Sequence, residues 1–233
     1  MYNKAIYLLT GALLLSGCEL DVGSSNNKDN PSYTFDFEQS DHGWQAGFSD
    51  YPSDNAAIYE LASGRKALPT DPQKQGFMLS GHNRSDDLFM YMKGKFTGLE
   101  ASTRYQANVQ LKLLTNAGEG CMGIGGAPGE AVWVKFGFGE TEPKQLDYYL
   151  NLDKGAQGNS GKNANIIGNV AASGANCEGS KYVEKSLVST DQTQLEFTTN
   201  SDGTIWLFIG TDSGFEGKTT LYYDKIDIQL KRK

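Results

Sequence analysis

The 233-residue chain reads as an all-β protein. Period-two alternation of apolar and polar residues recurs along it, and after Leu15 no ten-residue segment carries the three-and-four apolar spacing of an amphipathic helix. The apolar runs are punctuated by turn residues, with 28 glycines and 6 prolines in all. Many short strands separated by Gly, Asn, Asp and Ser form a sandwich or a barrel. Twelve Tyr, eleven Phe and three Trp exclude a disordered chain. Acidic side chains outnumber basic ones 28 to 21, which argues against a nucleic-acid partner, since phosphate neutralisation needs a basic face.

Eleven strands are expected, in order, at 33–38, 57–61, 77–81, 87–95, 105–113, 132–138, 146–150, 182–188, 194–198, 205–209 and 222–230. Tyr105, Ala107, Val109, Leu111 and Leu113 alternate with polar residues, as in a strand with one wet face. Val132, Val134, Phe136 and Phe138 alternate with Trp133, Lys135 and Gly137. The run Ile205, Trp206, Leu207, Phe208, Ile209 is apolar on both sides, as in a central strand, which places Trp206 in the core. Residues 151–177 hold few large apolar side chains and read as a long surface excursion, a kind of segment that is uncommon in compact domains and often functional. Neither an internal repeat nor a second composition regime follows residue 33, so residues 33–233 are expected to form one domain.

The N-terminus reads as an address. Residues 1–4 carry one positive charge, and 5–15 form an apolar run too short to span a bilayer as a helix but suited to the h-region of a secretory signal. Leu15-Ser16-Gly17-Cys18 resembles the lipobox of bacterial lipoproteins. That resemblance implies cleavage of the signal peptide 1–17, acyl chains on the Cys18 thiol and amine, and a membrane partner reached through that lipid. Glu19 rather than Asp after the cysteine favours the outer membrane of the cell envelope. Residues 18–32 are polar, aperiodic and rich in Ser, Asn and Asp, as in a flexible tether.

With Cys18 lipidated, an exported chain is expected to oxidise Cys121 and Cys177 to one disulfide. The closed loop of roughly 57 residues is worth about 4 kcal/mol in the chain-entropy model. The alternative, a reactive thiol, lacks a neighbouring base in sequence.

Three short marks resemble jelly-roll carbohydrate-binding modules of the galactose-binding-like type: Phe35-Asp36-Phe37-Glu38 with Gly43-Trp44, Gly98-Leu99 leading to Tyr105, and Leu221-Tyr222-Tyr223-Asp224-Lys225-Ile226. Lys225 departs from the family's pattern, and residues 116–177 match none of it. The resemblance implies a jelly-roll β-sandwich of two antiparallel sheets with first and last strands side by side. It also implies a structural calcium held by Glu38 and Asp224; the acidic loop 211–217 adds Asp212 and Glu216 as secondary candidates.

Gly118-Glu119-Gly120-Cys121-Met122-Gly123 satisfies G-x-G-x-x-G, but the following Gly and Pro residues exclude the helix a nucleotide site requires. The polar run holding His82, Arg84 and Asp86 offers a rim site, and sugar-stacking candidates are Trp133, Tyr148 and Tyr149. Phe215, apolar between two acids, is expected to dock its loop onto the body. No nucleophile or metal-protease motif is present, and only His42 and His82 supply imidazoles. The leading expectation is a non-catalytic, lipid-anchored envelope protein that binds glycan. A glycan lyase or hydrolase, and an assembly lipoprotein with a surface-protein partner, are the rivals.

Overall fold

The computed structural model describes residues 30–233; the signal segment 1–17, Cys18 and residues 19–29 of the tether lie outside the described residues. Among the described residues fourteen strands form two large antiparallel sheets and one small hairpin. The seven-stranded sheet contains β1 (Ser32–Asp36), β3 (Ala62–Leu68), β4 (Asp71–His82), β6 (Arg104–Thr115), β11 (Val183–Val188), β12 (Leu195–Thr198) and β14 (Lys218–Arg232). The five-stranded sheet orders β10 (Ala164–Asn169), β7 (Val132–Gly139), β13 (Ile205–Ser213), β5 (Leu88–Phe96) and β2 (Gln45–Ser49). A hairpin of β8 (Gln145–Leu146) and β9 (Tyr149–Leu150) stands apart. This is the all-β sandwich of two antiparallel sheets expected from the sequence.

The first and last strands pair: Tyr33 opposes Ile228 and Phe35 opposes Ile226. One edge of β14 is shared, with β4 along 218–223 and β1 along 225–229. A register shift between Tyr223 and Lys225 marks the handover. It changes which side chains face inward, so Leu221 and Tyr223 are buried before it and Ile226, Ile228 and Leu230 after it. In the sequence Asp224 shares its strand parity with Ile226 and Ile228, which predicts a side chain on the core side; it is instead half-buried at the bulge.

Between the sheets Phe35 packs edge-on to Trp44 at 5.3 Å and to Phe96 at 5.9 Å, and Tyr33 meets Phe96 at 5.0 Å. The five-stranded sheet is buried on its outer face too. There Phe89, Tyr91 and Phe208 form a second cluster with Leu150 and Ala164, and Leu152 packs against it. Two glycines make this layer possible: a Cβ at Gly47 would collide with the Tyr91 ring, and one at Gly137 with the Phe208 ring. Trp206, expected in the core, is half-buried outside it, with the Lys93 ammonium 6.0 Å from its ring.

Cys121 and Cys177 are bridged, with 5.4 Å between their Cα atoms. Phe215 docks against the main core as expected. Residues 57–61 are not a strand: Ser53–Tyr59 is a 3-10 helix that ends at Glu60 in the left-handed region and anchors itself by burying Tyr59 against Tyr51, rings 5.1 Å apart. The excursion 151–177 contains β10, which the sparse apolar content of ANIIGN had hidden.

The molecule has two ends. Pro31, which accepts from Leu230 N, and the pairs Ser32–Gln229 and Thr198–Arg104 define one. The pairs Lys218–His82 and Ser213–Leu88 define the other. At about 3.4 Å per residue, the 15 residues of β14 span at most about 48 Å between them.

Phe35 is the fully buried link between the closing strand pair and the opposite sheet. Phe35→Ala is expected to cost about 3–5 kcal/mol in urea unfolding. A loss under about 1 kcal/mol would show that closure by β1 does not carry the fold.

Candidate functional site

At the end remote from Pro31, two central strands carry opposite charges on the outer face of the five-stranded sheet. Lys135 comes from β7 and Asp212 from β13, and both are fully buried. The Lys135 ammonium donates to Asp212 Oδ2 at 2.8 Å and to the carbonyls of Lys154, Asn159 and Gly155 at 2.9, 3.0 and 3.2 Å. Residues 154–159 are thus folded around a cation. Lys154 returns into the same centre and donates to Asp212 Oδ2 at 2.9 Å. Its ammonium lies 3.6 Å from Asp50 Oδ1, 3.7 Å from Asp87 Oδ1 and 5.3 Å from the Phe89 ring centroid.

Each partner is held in place locally. Ser49 Oγ donates to Asp50 Oδ2 at 2.7 Å, and the Asp50 amide donates to Tyr148 O at 2.8 Å. Asp153 Oδ1 accepts from Gly155 N at 3.0 Å and its Oδ2 from Lys162 N at 3.1 Å. Gly155 adopts φ +72°, and a Cβ on it would strike the backbone of residues 159–160.

Two adjoining cavities open over this centre. One of about 180 Å³ is lined by Asp50, Asp87, Tyr149, Asp153 and Lys154 among others. The second, of about 300 Å³, is lined by Ser85, Asp86, Asp87, Gln157 and Asn159 among others. Asp87 and Ala156 belong to both, so the two form one cleft. Gln157 Nε2 donates to Asp86 O at 2.8 Å and ties its walls together. Larger hollows of about 440 Å³ beside Phe138 and Phe197, and of about 310 Å³ beside Cys177 and Phe215, are lined by charged groups that are all exposed.

The electrostatics single out Asp87. Two ammonium groups, Lys135 and Lys154, meet three carboxyls, Asp50, Asp87 and Asp212. Burial pushes Asp87 up to about 7, with Asp212 and Asp50 adding to the effect and Lys154 opposing it. Burial also raises Asp50, against Lys154 and Ser49. It lowers Lys135, against Asp212. At Lys154 burial acts in the same direction, but Asp212, Asp50 and Asp87 outweigh it and the ammonium is held above its ordinary value. Asp153, fixed by the Lys162 and Gly155 amides, is held below the ordinary carboxylate range.

Several side chains singled out in the sequence meet here. Tyr149 is 62% exposed on the cleft wall. Tyr148 lies 4.8 Å from it, ring to ring, and burial raises its hydroxyl above the ordinary phenol value. Asp86 is exposed beside Asp87, and the half-buried Trp133 packs behind Gly158 on the wall. His82 and Arg84 are not brought in: Arg84 contacts His82 at 3.2 Å, and His82 turns to Glu60 at 3.6 Å, which holds Lys218 at 2.7 Å.

The calcium set is split: Phe37 N donates to Asp224 O at 3.0 Å, which sets Glu38 beside Asp224, while Asp212 and Glu216 lie toward the Lys218–His82 end. Glu38 and Glu216 are exposed, and both ammonium groups occupy Asp212 Oδ2. Asp224 is raised by burial and by the facing carboxylates of Asp36 and Glu184. Among the described residues no group of three or more His, Cys, Asp or Glu side chains could hold a metal ion.

Asp50, Lys135 and Lys154 were not singled out by sequence reasoning, whereas Asp87 belongs to the polar run 80–87 that was. The usable signal was a pair of opposite charges, Lys135 and Asp212, in strands that are apolar on both faces.

No family model matches the chain, and no curated protein does. The chain is similar in structure to a candidate sugar-binding protein from Bacteroides thetaiotaomicron, with 11% identity, TM-score 0.39, and 81% of this chain and 88% of that one covered. It is also similar to the CBM22-1 xylan-binding domain from Paenibacillus barcinonensis, with 12% identity, TM-score 0.37, and coverage of 85% and 92%. A third is the enzymatically active domain of bacteriophage CBA120 tailspike protein 4, with 9% identity and TM-score 0.33; 82% of this chain covers only 19% of that one.

An aspartic acid titrating near 7 in the native protein and near 3.9 when unfolded makes the native state bind more protons in between, so stability falls as pH rises through that window. Asp87→Asn escapes this loss. Its thermal stability relative to the parent is expected to improve by about 2 kcal/mol between about pH 5 and about pH 8. A difference that stays constant with pH contradicts the assignment.

Proposed function

We propose that this chain is a lipid-anchored, non-catalytic glycan-binding protein of the bacterial cell envelope, moored in the outer membrane through Cys18. The observation that carries the reading is the exposed Tyr149 ring set beside Asp87, Asp153 and Gln157 in one cleft. Sugars present apolar C–H faces ringed by hydroxyls, and such a cleft offers both a flat aromatic surface and directed acceptors and donors. The polarity of the fold supports the anchoring part of the reading. Pro31 lies at the end of the sandwich opposite the cleft, so a tether running back from it to the membrane leaves the cleft facing away.

One observation favours a glycan hydrolase as the second reading. Asp87, raised to about 7, and Asp153, lowered, line the same cavity, and carboxyls with separated pKa values suit acid and base roles.

A glycan array probed with the fragment from residue 30, followed by calorimetry, tests the reading. Tyr149→Ala is expected to weaken the bound glycan about tenfold or more, near 1.4 kcal/mol, with an unchanged melting temperature. Unaltered affinity contradicts the cleft as the binding surface, and release of reducing ends from the bound glycan favours the hydrolase.

A further inference from the structure

The charge count in the cleft restricts what it can hold. Asp87 Oδ1 and Asp212 Oδ1 are both buried and have no hydrogen-bond donor. Asp212 is wholly enclosed and faces Asp87, which alone of the two reaches the cavities. The charged and titratable groups around Asp87 are Lys154 from the excursion, Tyr148 from the β8–β9 turn, Asp50 after β2, Asp212 from β13 and Lys135 from β7. Lys154 is the one basic side chain lining either cavity, and its ammonium is already committed to Asp212 and to Gly155 O. Against it stand Asp50, Asp86, Asp87 and Asp153.

We propose that the group recognised at the floor of the cleft is a primary ammonium, so that the glycan taken is an amino sugar with a free amine. This rests on the glycan reading of the same cleft. Three carboxyls around two lysines leave one carboxyl, Asp87, without a cation of its own, and an ammonium beside it favours its ionised form. An ammonium hydrogen-bonded to the accessible carboxylate oxygen of Asp87 supplies the missing positive charge, and charge-assisted bonds of this kind are the stronger ones. A neutral glycan leaves the excess in place, and a uronic-acid glycan adds to it. Tyr149 then stacks on the sugar face while the amine points inward.

The test is calorimetric titration of the protein at neutral pH with β-1,4-linked glucosamine oligomers and their N-acetylated counterparts. The free amine is expected to bind at least about tenfold more tightly, and the gap is expected to narrow as sodium chloride is raised. Asp87→Asn is expected to close the gap, the free-amine oligomer losing at least about tenfold more affinity than its acetylated counterpart. If that variant does not fold, the salt dependence in the parent protein decides. Equal or tighter binding of the acetylated oligomer overturns the ammonium proposal and leaves glycan binding standing. So does binding confined to other neutral or acidic glycans. Absence of binding to any glycan overturns both.

Discussion

The Lys135–Asp212 ion pair is the constraint on which the working end of the molecule depends. Both side chains are fully removed from water, and the ammonium is bound by three main-chain carbonyls besides the carboxylate. Removing charges from water is costly, and a buried pair persists only when the surroundings satisfy its remaining donors and acceptors. Here the excursion itself does this, turning the carbonyls of Lys154, Gly155 and Asn159 inward. A segment poor in apolar residues is thereby held against a sheet that it could not hold by packing alone.

Layering follows from that clamp. Leu150 and Leu152 are drawn over Phe89, Tyr91 and Phe208, and this explains why β5 and β13 are apolar on both faces although they belong to the outer sheet of a two-sheet body. Lys154 is carried in with the excursion and meets Asp50 and Asp87 at the ends of two neighbouring elements. The cleft is what remains between residues 85–87 and 153–159. Its chemistry, a carboxyl left over after two lysines are matched, is thus a product of how the loop is fastened. The opposite end of the sandwich is fastened differently, by the pairing of β1 with β14 and the aromatic contacts of Phe35.

The sheets were legible in the sequence because alternation records burial directly: β6, β7 and β14 all show it. β3 escaped because it is an exposed edge strand with one buried residue, and β10 because Gly and Asn dilute its two isoleucines. Asp224 was misplaced because one extra residue in β14 reverses the parity on which that inference relied. The disulfide was legible from compartment and count, and Tyr148, Tyr149, Asp86 and Trp133 from residue type. The lysines were not, because a lysine in a sequence reads as surface. Only tertiary structure brings Lys135 and Lys154, 19 residues apart, onto one carboxylate. His82 and Arg84 illustrate the converse: both belong to a conspicuous polar run, yet His82 turns to Glu60 and Arg84 to His82, while Asp86 of the same run lines the cleft.

Amide hydrogen exchange across residues 153–164 of the folded protein tests the clamp most directly. The amides of Gly155, Gly161 and Asn163, bonded to Asp153 Oδ1, Ala164 O and Asp153 O, should exchange as slowly as those of the neighbouring sheet strands. Exchange at the rate of a free chain would mean that the buried ion pair does not hold the excursion, and the cleft built on it would not exist.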